Sequence, residues 1–224
     1  MRFIQGSHRE AIHYISKRLR AALGEGRPVL WLISGGSNIP IQKAVMDTLP
    51  NALTKSLTII PVDERYGPYG HKYSNMAKLR KAGFDPKHAE LIDVLEGNLS
   101  PGETINLYKD FIARKIATGD YVFVTLGMGE DGHVAGILPN SPPLFSTELA
   151  VYYKAPDYGR ITLCADTIAA HCNEAVLCAY GDHKAKALLA LSRHADNREQ
   201  VPAMILHELA DCTVFNDSIQ GETV

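Results

Sequence analysis

The run Tyr121-Val-Phe-Val-Thr-Leu126, followed at once by Gly127-Met-Gly-Glu-Asp-Gly-His133, sets the reading of the whole chain. A short, uncharged, largely apolar run predicts a strand covered on both faces, as in a parallel sheet. The turn after it carries three glycines, Asp131 and His133. Histidine's ordinary pKa, about 6.5, suits it to proton transfer near neutral pH. A strand that ends in such a turn is a place for acid–base chemistry.

Working outward, the same alternation recurs on both sides. Ile12, Ile15, Leu19, Ala22 and Leu23 have helical spacing, and Gly24 and Gly26 end that helix. Residues 28–33 predict a strand, 34–38 a turn, and Pro40 the first turn of a helix whose stripe is Ala44, Val45 and Leu49. Residues 57–62 predict a strand ending at Asp63-Glu-Arg65. Further helices are expected over 73–81, 104–117, 184–192 and 202–209, and strands over 89–95, 149–153, 160–163 and 174–179. Strands alternating with helices predict an α/β fold: a mostly parallel sheet with helices on both faces. No linker or repeat divides residues 1–224, so a single domain is expected.

Composition removes several function classes. The 46% hydrophobic content suffices for a core, and the formal charge of −2 argues against nucleic-acid binding through bulk electrostatics. No apolar run approaches the ~18 residues that span a bilayer, so no membrane partner is expected. The opening residues lack the basic-then-apolar layout of a signal peptide. Cys164, Cys172, Cys178 and Cys212 form no C-x-x-C pair and read as reduced, mostly buried thiols, which places the chain in the cytoplasm. Zinc held by His171, Cys172 and Cys178 is a minor alternative.

Ligands of open α/β sheets bind outside the carboxyl ends of the strands. Three turns there, 34–38, 63–65 and 127–133, are therefore expected to meet around one ligand. Gly127-Met-Gly-Glu-Asp-Gly132 matches G-x-G-x-x-G, but Pro139, Pro142 and Pro143 leave little room for the helix a dinucleotide site needs. Ser34, Gly35, Gly36 and Ser37 read as a phosphate cradle of backbone N–H groups and hydroxyls, or simply as a tight turn. Arg65 can fork onto phosphate and Asp63 can act on a sugar or orient a base; the alternative is a surface ion pair. Lys184 offers a second cation. With no G-x-S-x-G elbow present, activated water is the expected nucleophile of any hydrolysis.

Taken together, Ser34-Gly-Gly-Ser37, Asp63-Glu-Arg65, His71 with Ser74-Asn75, Gly127-Met-Gly-x-Asp-Gly-His133, Arg160-Ile-Thr162 and Gly181-x-x-Lys184 resemble the 6-phosphogluconolactonase family and its relative, glucosamine-6-phosphate deaminase. The resemblance covers nearly the whole chain. It implies the three-layer α/β fold of ribose-5-phosphate isomerase and CoA transferases, a phosphorylated sugar lactone as ligand, and no metal or other cofactor. It implies that His133 activates water and that Asp131 orients the imidazole. The phosphate and the oxyanion would fall to Arg65, Lys184, the 34–37 turn and Arg160. The deaminases carry a glutamate five residues beyond the histidine, where this chain has Leu138, and usually an aromatic in place of Arg65. Both differences favour a lactonase over a deaminase, and the intact Asp131 and His133 argue against a non-catalytic sugar-phosphate sensor; a monomer or homodimer is expected. Asn38-Ile39 departs from the family's Thr-Pro. Val134 and Gly136 stand where threonine and serine are commoner.

Overall fold

The computed structural model describes residues 1–194 and 197–219. Seven strands form one sheet in the order β1-β10-β9-β6-β2-β3-β5, and every pairing in it is parallel. These strands are β1 (Arg2–Gln5), β2 (Val29–Ile33), β3 (Leu57–Pro61), β5 (Glu90–Leu91), β6 (Tyr121–Gly127), β9 (Glu174–Ala179) and β10 (Cys212–Asn216). All five residues of β2, β3 and β10 and all six of β9 are buried, as strands covered on both faces must be.

The period-two alternation of a strand sorts this core into two layers. Val29, Trp31 and Ile33 of β2 pack with Ile15 and Leu19 of α1 (His8–Gly24), Val45 and Met46 of α2 (Ile39–Thr48), and Leu79 of α3 (Asn75–Lys81). Leu30 and Leu32 face the other way. They pack with Tyr108 and Ile112 of α4 (Pro101–Ala117), Ile168 of α5 (Ala165–His171), and Leu188 and Leu191 of α6 (Ala185–Arg193). The result is the expected sheet between two helical layers.

One expectation is corrected. The strands expected over 149–153 and 160–163 do not join the main sheet, and residues 63–65, expected as a turn, are a strand paired with the second of them. They form a separate antiparallel sheet, β4 (Asp63–Arg65), β8 (Gly159–Leu163) and β7 (Ala150–Lys154), in the order β4-β8-β7. The connection of a few residues between β7 and β8 is too short for the crossover that a parallel pair requires. Ile161 and Leu163 pack into the same core layer as Leu30 and Leu32.

Other boundaries shift for local reasons. The strand expected over 89–95 pairs only at Glu90–Leu91, because Asp93 turns the chain by accepting the Leu95 N–H and pairing with Arg80. Helix α4 starts three residues before the expected 104, on a capping box in which Ser100 and Glu103 satisfy each other's backbone N–H. Residues 202–208 form a 3₁₀ helix; Pro202 to Leu206 are all buried, so no amphipathic face guides them.

Helix α3 is fixed by a carboxylate. Glu64 of β4, 1% exposed, accepts from Ser74 Oγ at 3.0 Å, Asn75 N at 2.6 Å, Met76 N at 3.0 Å and Arg65 N at 2.7 Å. Burial raises its carboxyl to about 7 against the opposing pull of these donors. Replacing Glu64 with alanine leaves the donors buried and unpaired. We expect E64A to lower the unfolding free energy by about 2–4 kcal/mol. Urea unfolding checks this, and an unchanged midpoint rejects the anchoring role.

Candidate active site

The chain runs from β2 outward through β3 to β5, then returns to lay β6 on the other side of β2. The carboxyl ends of β2 and β6 therefore flank the point where strand order reverses, where open α/β sheets hold ligands. A cleft lies there. It is lined by Ser34, Gly35, Gly36 and Ser37 from the turn after β2, Asp63 and Arg65 from β4, Asn75 from α3, and Gly127, Met128, His133 and Ala135 from the segment after β6. The three turns singled out in the sequence do converge.

His133 Nδ1 lies 2.7 Å from Asp131 Oδ1, which also accepts the His133 backbone N–H at 3.1 Å. The contact makes Nδ1 the protonated nitrogen and leaves Nε2 as the acceptor of a residue that lines the cleft. The hydrogen bond to His133 holds the Asp131 carboxyl below its ordinary value, so it stays charged beside the imidazole. The pair closes over bare backbone. A Cβ on Gly129 would lie 2.2 Å from His133 Nδ1 and 2.6 Å from Asp131 Oδ1.

The turn after β2 is held from behind. Gln42, fully buried on α2, accepts the Ser34 N–H at 2.9 Å and donates to the Ser34 carbonyl at 2.7 Å. Asn38, also buried, donates to Ser34 Oγ at 3.1 Å. Lys184 is 6% exposed and reaches Ser37 Oγ at 3.5 Å, which places its ammonium beside the turn although it follows β9. Burial lowers the Lys184 pKa, with Cys178 and Asp217 opposing.

Strand β4 brings Asp63 and Arg65 to one face, opposite Thr162 and Arg160 of β8. Burial raises the Asp63 carboxyl, and Arg65, Arg160 and His133 oppose that rise. Arg65 Nη1 donates to Asn75 Oδ1 at 2.7 Å. Arg160 does not line the cleft. It is buried, with Nη2 on Asp157 at 2.7 Å and Nε unpaired.

The departures from the family pattern have a structural account. A Cβ at Gly136 would lie 2.8 Å from Thr162 Cβ and 3.2 Å from Asp63 Cβ, so a serine would collide with β8. The Gly136 N–H instead donates to Thr162 Oγ1 at 3.1 Å, and its carbonyl accepts from Tyr153 OH at 2.6 Å. Val134 is fully buried, bridging Met128 and Ile137. Leu138 is absent from the cleft lining, its carbonyl taken by Ser141.

Asn75 and Gln42 are the residues that sequence reasoning passed over. Asn75 stood within a motif but had no assigned part. Nothing around Gln42 marks it, since a glutamine in the first turns of a helix is ordinary. The four cysteines are free and buried, and no cluster of three or more metal-ligating side chains occurs among the described residues.

The family model described as glucosamine-6-phosphate isomerases/6-phosphogluconolactonase matches residues 5–215. A probable 6-phosphogluconolactonase of Dictyostelium discoideum is 31% identical over 197 residues, covering 82% of this chain and 81% of the relative. A 6-phosphogluconolactonase of Neisseria meningitidis serogroup B is 27% identical over 213 residues, with 90% of each chain covered. The crystal structure of a 6-phosphogluconolactonase from Shewanella baltica superposes with a TM-score of 0.77 at 21% identity, covering 96% of both chains, and shares the fold. Such a match over nearly the whole length means that the chain belongs to the glucosamine-6-phosphate isomerase/6-phosphogluconolactonase family.

Proposed function

We propose that the protein is a 6-phosphogluconolactonase, a cytoplasmic enzyme of the pentose phosphate pathway that hydrolyses 6-phospho-D-glucono-1,5-lactone to 6-phosphogluconate. The observation that carries this reading is the 2.7 Å Asp131–His133 pair, which frees Nε2 at a cleft rimmed by Arg65 and the 34–37 turn. His133 Nε2 takes a proton from water as the water oxygen bonds to the lactone carbonyl carbon. The carbonyl electrons move onto oxygen, and the intermediate then collapses with cleavage of the bond to the ring oxygen. The imidazolium returns its proton to that oxygen, which leaves as a hydroxyl, and the new acid ionises.

Asp131 holds the ring tautomer and stabilises the imidazolium, as an acid does beside other catalytic histidines. Arg65, Lys184 and the hydroxyls of Ser34 and Ser37 bind the phosphate, with the N–H groups of Gly35 and Gly36 at the same turn. Arg160 supports the positive field from behind. Leu138 cannot exchange protons, which disfavours ring opening of an amino sugar. We also read residues 1–224 as one domain, acting as a monomer or homodimer. The shared packing of β8 with β2 and α4 supports the single-domain reading.

Expected outcomes are specific. H133A lowers kcat at least ~100-fold, the usual weight of a general base, with an unchanged circular dichroism spectrum. Near-normal turnover of the freshly prepared lactone, corrected for spontaneous hydrolysis, removes His133 from the mechanism. R65A raises KM more than it lowers kcat, and an unchanged KM removes Arg65 from phosphate recognition. G129A pushes the Asp131–His133 pair apart and lowers kcat by roughly 10-fold or more, since small misplacements of catalytic groups are costly. Full activity in G129A contradicts the crowding described at that position.

A further inference from the structure

Asp63 and Arg65 pose an electrostatic puzzle. They lie two residues apart on β4, so they point to the same face, and both line the cleft. Asp63 is 4% exposed, where an opposite charge attracts strongly. Yet neither residue forms an ion pair among the described residues, and Arg65 Nε is buried without a partner.

Asn75 stands between them. Its Oδ1 accepts from Arg65 Nη1 at 2.7 Å, while its Nδ2 donates to the Asp63 carbonyl at 2.9 Å and, at 3.4 Å, to Asp63 Oδ2. The amide has no freedom to swing aside. Its own backbone N–H is tied to Glu64, it opens α3 behind the Ser74 cap, and a Cβ on Gly35 would meet Asn75 Oδ1 at 2.0 Å. An amide also offers an acceptor to a guanidinium and a donor to a carboxylate, from two separate atoms and without adding charge.

We propose that Asn75 is a positioning residue that holds the Arg65 guanidinium apart from Asp63 and so keeps its charge for the substrate phosphate. This rests on the lactonase reading only in naming the substrate; the separation of the two charges would serve any phosphorylated ligand. Without the amide, Arg65 swings onto Asp63, each neutralises the other, and the cleft loses a phosphate-binding cation.

Calorimetry with inorganic phosphate and with 6-phosphogluconate tests this on the full chain. N75A is expected to weaken binding of both about tenfold, the scale of one charge-assisted hydrogen bond. R65A/N75A should bind no more weakly than R65A, because Asn75 acts through Arg65. D63N/N75A should regain most of the lost phosphate affinity, because the competing carboxylate is gone. In turnover, N75A should raise KM for the phosphorylated lactone far more than it lowers kcat. Losses that multiply in R65A/N75A, or no recovery in D63N/N75A, overturn the proposal and leave Asn75 a packing residue. If N75A does not fold, N75S, too short to span the gap, carries the same expectations. A wild-type protein that binds phosphate but leaves the lactone intact rejects the lactonase reading alone.

Discussion

A buried amide is costly unless its polar atoms find partners, and through Gln42 that requirement ties the fold to its site. Gln42 Oε1 accepts from both Ser34 N and Thr125 Oγ1, the latter at 2.7 Å, and Thr125 Oγ1 in turn accepts from Trp31 Nε1 at 3.2 Å. One side chain thus fastens β2, β6, α2 and the turn between them. Trp31 and Thr125 lie on neighbouring strands at the centre of the sheet, both almost wholly buried. Loosening Gln42 would free the 34–38 turn from the scaffold that aims it. Rigid placement of this kind lets backbone N–H groups serve an anion without first being ordered by it.

The cleft is arranged so that positive charge survives burial. Lys184 rests on a hydroxyl, Arg65 on an amide, and only Arg160, beneath the surface, is given a carboxylate partner. Glu64 sits beside these cations but turns its oxygens to the N-terminus of α3 and to backbone N–H groups, away from the guanidinium. Negative side chains near the site are thereby occupied elsewhere, and an incoming anion meets cations that carry little internal compensation. Asp131 and Asp63 are the exceptions: Asp131 spends its hydrogen bonds on His133, and the Asn75 amide stands between Asp63 and Arg65.

Where the sequence was legible, the reason was periodicity or chemistry confined to a few adjacent residues. Strands β2, β3, β6 and β9 read as largely apolar runs because both faces are covered, and the three turns at the ends of β2, β3 and β6 announced themselves by glycine, serine and charge. Edge strand β1 and strand β10 escaped notice: Arg2–Gln5 is only partly buried, and Cys212–Asn216 alternates too briefly to stand out. The antiparallel sheet was hidden for a different cause. Local sequence reports that 150–154 and 159–163 are extended, but the partner of a strand is a property of the whole fold. Asn75 and Gln42 were hidden likewise, because what distinguishes them is burial among residues far away in the chain.

The close approach of Gly136 to Thr162 bears on how this chain can change over time. The catalytic loop and β8 share one small volume there, so the side chains at 136 and 162 cannot be chosen independently. The atom that a Cβ at 136 meets most closely is Thr162 Cβ, so only glycine at 162 relieves that contact, and that step also removes the hydroxyl that the Gly136 N–H now uses. The order of substitution therefore matters. Along one path the Gly136 N–H first loses its partner, while along the other the loop passes through an overpacked intermediate. The two positions form an epistatic pair that joins the loop bearing His133 to the strand bearing Arg160.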